Sequence, residues 1–461
     1  MNPFFTKAGA SADGSVNPVV PQVLMVLLLI FCAPLTAIGE DLLYFYTHAR
    51  TFDANLKRSE YEHDASREIL KQAYSKLLPE VSAYAQHVNT RDRIVSSDNT
   101  LFAKGTTYYP TDSYSVSLVQ PLFDYSSFVG VSKAKKELLL SDARYDAERK
   151  KLVLHVAGAY FNVLAAQNNH HSFMAEAAAV REHFELVKGR YNMGLAPVTD
   201  FLDAKARMLS VNADVIASEN MLDDAIQALY KISGQMGQNF ADLSPEMVLA
   251  RPEPASPEAW TEMALAQNLE VLAMKHGVEV AAKEVSRLKG DHYPVVTLEG
   301  RHSWDDTEGT AFGGGSEVRK EELIVNVSVP VFKGGNTNSR VRQAASLLQA
   351  EREQLREKEL AVKREVRVSY LGVLSAMSRA DALKQTVEAQ KTAVEAKREG
   401  FDSGLNTSLM VMDAERDYHY AKRDYAAARY DYIIQMFRLE HAAGKLSDTD
   451  LTYINQFLEQ S

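Results

Sequence analysis

Arg190-Tyr191-Asn192-Met193-Gly194-Leu195-Ala196-Pro197-Val198-Thr199-Asp200 reads as the end of one helix, a tight glycine turn and the start of the next. The chain writes this turn twice. Tyr191-Asn192-Met193-Gly194-Leu195 returns as Phe401-Asp402-Ser403-Gly404-Leu405, and Leu202-Asp203-Ala204 returns as Met412-Asp413-Ala414, both 210 residues later. Upstream, Gln120-Pro121-Leu122-Phe123 returns as Val329-Pro330-Val331-Phe332 after 209 residues, and Leu78-Pro79-Glu80-Val81 as Tyr293-Pro294-Val295-Val296 after 215. Near-constant offsets over four landmarks mark a duplicated structural unit. The unit is two short strands, a very long helix, a glycine turn and a second helix.

Proline placement locates the helices. All 14 prolines lie at or before Pro330, with none between Pro121 and Pro197. A proline inside a helix costs about 3 kcal/mol, so these gaps are where long helices can run. They predict helices over about 126–190 and 338–399, each on the order of 90 Å long, followed by shorter ones over about 198–233 and 407–443. Val153, Val156, Ala157, Tyr160, Phe161 and Leu164 share one helix face, as do Val341, Ala344, Ala345 and Leu348.

The strands show a period of two. Tyr114, Val116 and Leu118 alternate with Ser113, Ser115 and Ser117. Val296, Leu298 and Trp304 alternate with Thr297, Glu299, Arg301 and Ser303, and Leu323, Val325, Val327, Val329 and Val331 form one face of the last segment. These predict strands over about 80–90, 112–122, 294–304 and 321–332, with exposed loops over 96–112 and 305–317. One apolar and one wet face suits a sandwich, or a membrane barrel with lipid outside and water inside. Four strands cannot close a barrel, and an open sheet in lipid would leave two unpaired edges. Three chains would supply twelve strands, although edge satisfaction alone does not fix the number three.

Bulk properties narrow the function. The net charge of −10 over 461 residues argues against a general nucleic-acid binder. Lys7, the apolar run from Val23 to Cys32 and the small-x-small Ala37-Ile38-Gly39 predict a cleaved export signal over 1–39. Cleavage there removes Cys32, the only cysteine, and with it any disulfide or thiol chemistry. The repeats are predicted over 40–244 and 258–446, joined by a proline-marked linker over 245–257 and followed by a tail over 447–461. His170-His171 cannot place both rings on one helix face, so no metal or cofactor is expected. No HExxH, GxSxG or phosphate-binding glycine loop is present, so the chain is not expected to be an enzyme.

The ordered set of motifs resembles the TolC-like outer-membrane channel family, exit ducts of type I secretion and tripartite efflux. Glu40-Asp41-Leu42-Leu43, Gln120-Pro121-Leu122-Phe123-Asp124, Tyr160-Phe161-Asn162-Val163-Leu164, the Arg190–Asp200 turn and Pro330-Val331-Phe332-Lys333-Gly334-Gly335 carry the likeness over essentially the whole mature chain. The resemblance implies a mixed α and β membrane protein: a homotrimer whose twelve-stranded barrel spans the outer membrane and continues as an α-helical barrel across the periplasm. It implies passive conduction of secreted proteins or small toxic compounds, delivered by an inner-membrane ABC or proton-driven transporter through a periplasmic adaptor. It places the strand–helix junctions at Pro79, Pro121, Pro294 and Pro330. It places a periplasmic gate at Thr199, Asp200, Phe401, Asn406, Met410 and Asp413. A carboxylate facing a trimer axis makes a three-charge ring that favours cations. The family often has two such rings; Asp413 keeps one and Met410 stands where the other would be, while Phe401 and Asn406 replace a tyrosine and an arginine that usually help latch the tip. Gly194-Leu195 and Gly404-Leu405 close the tips, and the leucines are expected to dock into the adaptor. A soluble periplasmic coiled-coil scaffold is the alternative.

Overall fold

The computed structural model describes residues 40–96, 105–310 and 314–459; the expected export signal lies outside them. In chain order the elements are α1 (Leu42–Phe52), α2 (Ala54–Ser75), β1 (Glu80–Ile94), β2 (Gly105–Phe123), α3 (Tyr125–Asn192), α4 (Val198–Ser233), β3 (Asp242–Leu243), α5 (Pro257–Gln267), α6 (Leu269–Lys289), β4 (Val295–Thr307), β5 (Ser316–Ser328), α7 (Asn336–Asp402), α8 (Ser408–Ala442), α9 (Asp448–Asn455) and β6 (Leu458–Glu459). Each repeat is a helix, a β-hairpin, a helix of 68 or 67 residues, and a shorter return helix. At 1.5 Å per residue the long helices reach about 100 Å.

The leading helices α2 and α6 are absent from the sequence reading. Asp53 caps α2 by accepting from Leu56 N, and Asn268 caps α6 by accepting from Glu270 N and Val271 N. These caps stand 215 residues apart, the same offset as Pro79 and Pro294, so the duplication carried a signal for both.

The four long strands form one antiparallel sheet in the order β1-β2-β4-β5. Its register runs Val81 opposite Leu118, Leu118 opposite Gly300, and Gly300 opposite Leu323. The next row is Ala83, Val116, His302 and Glu321, and above it stand Ala85, Tyr114, Trp304 and Arg319. Opposed residues share a face, so Val81, Leu118, Leu323, Val325 and Val327 make the lower rows of one side apolar; above them the Tyr114 and Trp304 rings stack at 5.2 Å beside His302, Glu321 and Arg319. Ser82, Ser117, Ser115 and Ser303 lie on the other, where the Ser82 and Ser117 hydroxyls meet at 2.8 Å.

Three strand expectations need correction. β5 stops at Ser328, not 332, and Val329 to Phe332 lead into the helix as irregular chain. The loop expected over 96–112 is entered by β2 from Gly105, because Thr106 to Thr111 pair with Val88 to Arg93. The loop expected over 305–317 loses Asp305 to Thr307 and Ser316 to Glu317 to a continued hairpin ladder.

The main core sits at the waist, where α1, α3, α5, α7, α8 and α9 converge. Tyr160 and Phe161 are fully buried; Tyr160 donates to Ala241 O at 2.8 Å, and Phe161 stacks on Tyr430 at 5.6 Å. Neither linker nor tail hangs free. Tyr432 donates to Ala250 O at 2.8 Å, and buried Arg429 donates to Leu243 O and Ser244 O. Of the expected tail over 447–461, residues 448–455 fold as α9, held by a Ser447–Asp450 capping box and the burial of Leu451 and Ile454. Beyond α9, β6 pairs with β3.

Glu440 is the anomaly of this core. Its Oε2 is buried without a hydrogen-bond partner among the described residues. Burial, with a smaller push from the Asp450 charge and against a pull from Lys445, raises its carboxyl from 4.5 to about 7. Between those values the folded chain holds a proton that the unfolded chain has released, so stability falls as pH rises through this window. Glu440→Gln is expected to raise stability at pH 8 by up to about 3 kcal/mol while changing little at pH 4.5. Thermal unfolding of detergent-solubilised protein at both pH values measures this, and an equal effect at the two would refute it.

Candidate functional site: the helical tips

The two glycine turns have one geometry. Leu195 N donates to Arg190 O at 2.9 Å and Gly194 N to Tyr191 O at 2.9 Å; Leu405 N donates to Gly400 O at 2.8 Å and Gly404 N to Phe401 O at 2.9 Å. This paired pattern terminates a helix through a left-handed residue, and Gly194 and Gly404 have φ of 72° and 76°. A leucine after such a turn usually folds back onto the last helical turn. Here Leu195 is 72% and Leu405 84% exposed, so both apolar side chains point off the end of the molecule.

Behind the first tip, Phe201 stacks on Tyr191 at 5.0 Å and lies 5.8 Å from Phe184. Phe184, Val187 and Ala204 form a small core that stiffens the α3–α4 hairpin. The second hairpin is closed differently. Asn406 Nδ2 donates to Lys397 O at 3.1 Å, and its side chain occupies the space a Cβ on Gly400 would need. Asn406 therefore ties its own turn.

Other expected gate residues sit in the turns flanking these tips. Thr199 and Asp200 are exposed in the first turn of α4, where the Thr199 hydroxyl lies 3.4 Å from Asp200 Oδ1. An acid there also complements the helix dipole. Phe401, in the last turn of α7, and Met410, in the first turn of α8, are both exposed. Asp413 lies one turn deeper and is not a free carboxylate: Arg207 Nη2 is 2.9 Å and Arg416 Nη1 3.2 Å from its Oδ1. The sequence reading did not find Arg207. The junction prolines sit at the sheet's lower border, Pro79 and Pro294 just before strands and Pro121 beside a bulge at the end of β2. Pro330 lies beyond β5, next to Val331 and Phe332, which are 93% and 86% exposed. Aromatic and apolar side chains at such a border suit a membrane interface. His170 bonds through Nδ1 to Ser218 Oγ at 3.0 Å.

A sheet with an uncovered apolar face, standing on paired helices about 100 Å long, defines a membrane-anchored duct subunit. No described helix is long and apolar enough to cross a membrane. The chain belongs to the outer membrane efflux protein family, whose profile matches residues 46–235 and 260–445. It is similar to the outer membrane protein TolC of Vibrio cholerae, 32% identical over 426 residues covering 91% of this chain and 94% of that one. It is also similar to the alkaline protease secretion protein AprF of Pseudomonas aeruginosa, 30% identical over 436 residues covering 92% and 90%. Among solved structures, the CmeC outer membrane channel of Campylobacter jejuni superposes with a TM-score of 0.76 at 15% identity, covering 91% of this chain and 90% of that one. The protein is thus an outer-membrane exit duct for efflux or secretion, with its sheet in the outer membrane and its long helices in the periplasm.

Asn406→Ala is expected to loosen the second tip by about 1 kcal/mol, speeding amide exchange over residues 400–406 roughly fivefold. Hydrogen-exchange mass spectrometry checks this; unchanged exchange would show that Asn406 does not hold the turn.

Proposed function

We propose that three copies close one twelve-stranded barrel and that cargo enters at the helical tips from a periplasmic adaptor and an inner-membrane transporter. The observation that carries this reading is the sheet itself: an exposed apolar face, a hydroxyl-lined face and two unpaired edges, β1 and β5. A soluble scaffold would leave Leu323, Val325 and Val327, each at least 60% exposed, in water. In the closed barrel they meet lipid, and Ser115, Ser117 and Ser303 line a wet lumen. The duct conducts passively, and the transporter, driven by ATP or by protons, selects between secreted proteins and small toxic compounds.

At the tips, Leu195 and Leu405 dock into apolar grooves of the adaptor, with Gly194 and Gly404 fixing their projection. Thr199, Asp200, Phe401, Asn406, Met410 and Asp413 form the constriction behind them. Phe401 and Met410 supply apolar closure where a more polar latch would need hydrogen-bonding partners. Burying each leucine contributes about 2 kcal/mol, so Leu195→Asp with Leu405→Asp should weaken adaptor binding at least a hundredfold. Export should fall with it, while outer-membrane insertion stays intact. Co-purification with the adaptor, beside an export assay in cells that depend on this duct, reads both. Adaptor retention at parental level in the double variant would sink the docking role.

A further inference from the structure

The surroundings of Asp413 point beyond a simple acidic ring, and the role they suggest rests on the proposed gate. Arg207 comes from α4 in the first repeat and Asp413 from α8 in the second, yet their charged groups stand 2.9 Å apart. Arg416, one turn along α8, lies 3.2 Å from the same carboxylate oxygen and also reaches Asp417 at 2.7 Å. Arg207 is 4.0 Å from Glu176 on α3, a buried carboxylate whose other oxygen accepts the Tyr420 hydroxyl at 2.7 Å. Val180, Val211 and Met412 pack beside this network as a small core drawn from the same three helices. The arrangement is therefore built into the packing, unlike a chance meeting of surface side chains. Here two guanidiniums, Arg207 and Arg416, offset most of the charge of three carboxylates, Glu176, Asp413 and Asp417.

We infer that Arg207 is a specificity-determining residue of the duct: it offsets the charge of Asp413 within the chain, so that this position of the constriction presents a screened carboxylate to passing cations. A bare carboxylate ring at a narrow point binds polyvalent cations. A carboxylate with two guanidiniums on one of its oxygens, in a partly buried setting, has much of its charge offset. Arg416 is a neighbour on the same helix and moves with Asp413. Arg207 lies on the other hairpin, so its hold on Asp413 also depends on the two hairpins staying in register.

The test uses the full-length assembled protein in planar bilayers, with hexaamminecobalt(III) added on the tip side. Arg207→Gln should lower the concentration for half-block about tenfold. Arg207→Lys, which keeps the charge, should stay near the parental value, a distinction that a merely structural role for Arg207 would not make. Combining Arg207→Gln with Asp413→Asn should abolish the gain in sensitivity. Unheated gels verify that each variant assembles. An unchanged half-block in Arg207→Gln, or a gain that survives in the double variant, overturns the inference. Phe401→Ala separates this from failure of the proposed gate. If it alters conductance while Arg207→Gln leaves block unchanged, the gate stands and the role of Arg207 falls. If neither alters any property, the constriction lies elsewhere and both proposals fall.

Discussion

Backbone N–H and C=O groups along the outer edges of β1 and β5 need partners, and hydrocarbon offers none. That constraint governs the rest of the molecule. A four-stranded sheet with an apolar outer face is tolerable in a membrane only if each edge finds another strand, and the nearest supply is another copy of the same chain. Once the sheet is part of a closed wall, the helices that leave its lower border must also run side by side around a common axis. Long paired helices with small residues on their faces, such as Ala134, Ala143 and Ala157 on α3, meet that demand.

The waist core is the second element of the design. The tips are held mainly by helix pairs, so hairpin position depends on a firm anchor partway along. Tyr160, Phe161, Phe240 and Tyr430 supply it with close ring contacts, and the linker and α9 are pinned to the same region. Duplication makes the two hairpins alike in backbone while leaving them free to differ in side chains. The first is stiffened by Phe184, Phe201 and Tyr191. The second has Asn406 over Gly400 and an exposed Phe401.

Much of this was legible in the sequence, for physical reasons that can be named. Proline exclusion exposed the long helices because a missing N–H and a steric clash are local effects. The alternation of Tyr114, Val116 and Leu118 with serines exposed the sheet's two faces because strand side chains have period two. The missed elements failed for equally specific reasons. Helix α2 buries little apolar surface of its own, chiefly Leu56 beside Ser59 and His63, so it has no apolar stripe to read. The end of β5 was misplaced because Val329 and Val331 continue the alternation after pairing has ceased. Arg207 was missed because its partner lies in the other repeat, and pairing between repeats is a property of packing that no local pattern records. Arg416, three residues from Asp413, was within reach of helical spacing.

The most direct test of the account is the native mass of the particle extracted from outer membranes in mild detergent. A mass of three chains, resistant to unheated SDS, is the predicted result, with β1 of each copy paired to β5 of the next in a closed twelve-stranded wall. A single chain that keeps its strands in the membrane would contradict the shared barrel and the duct built on it.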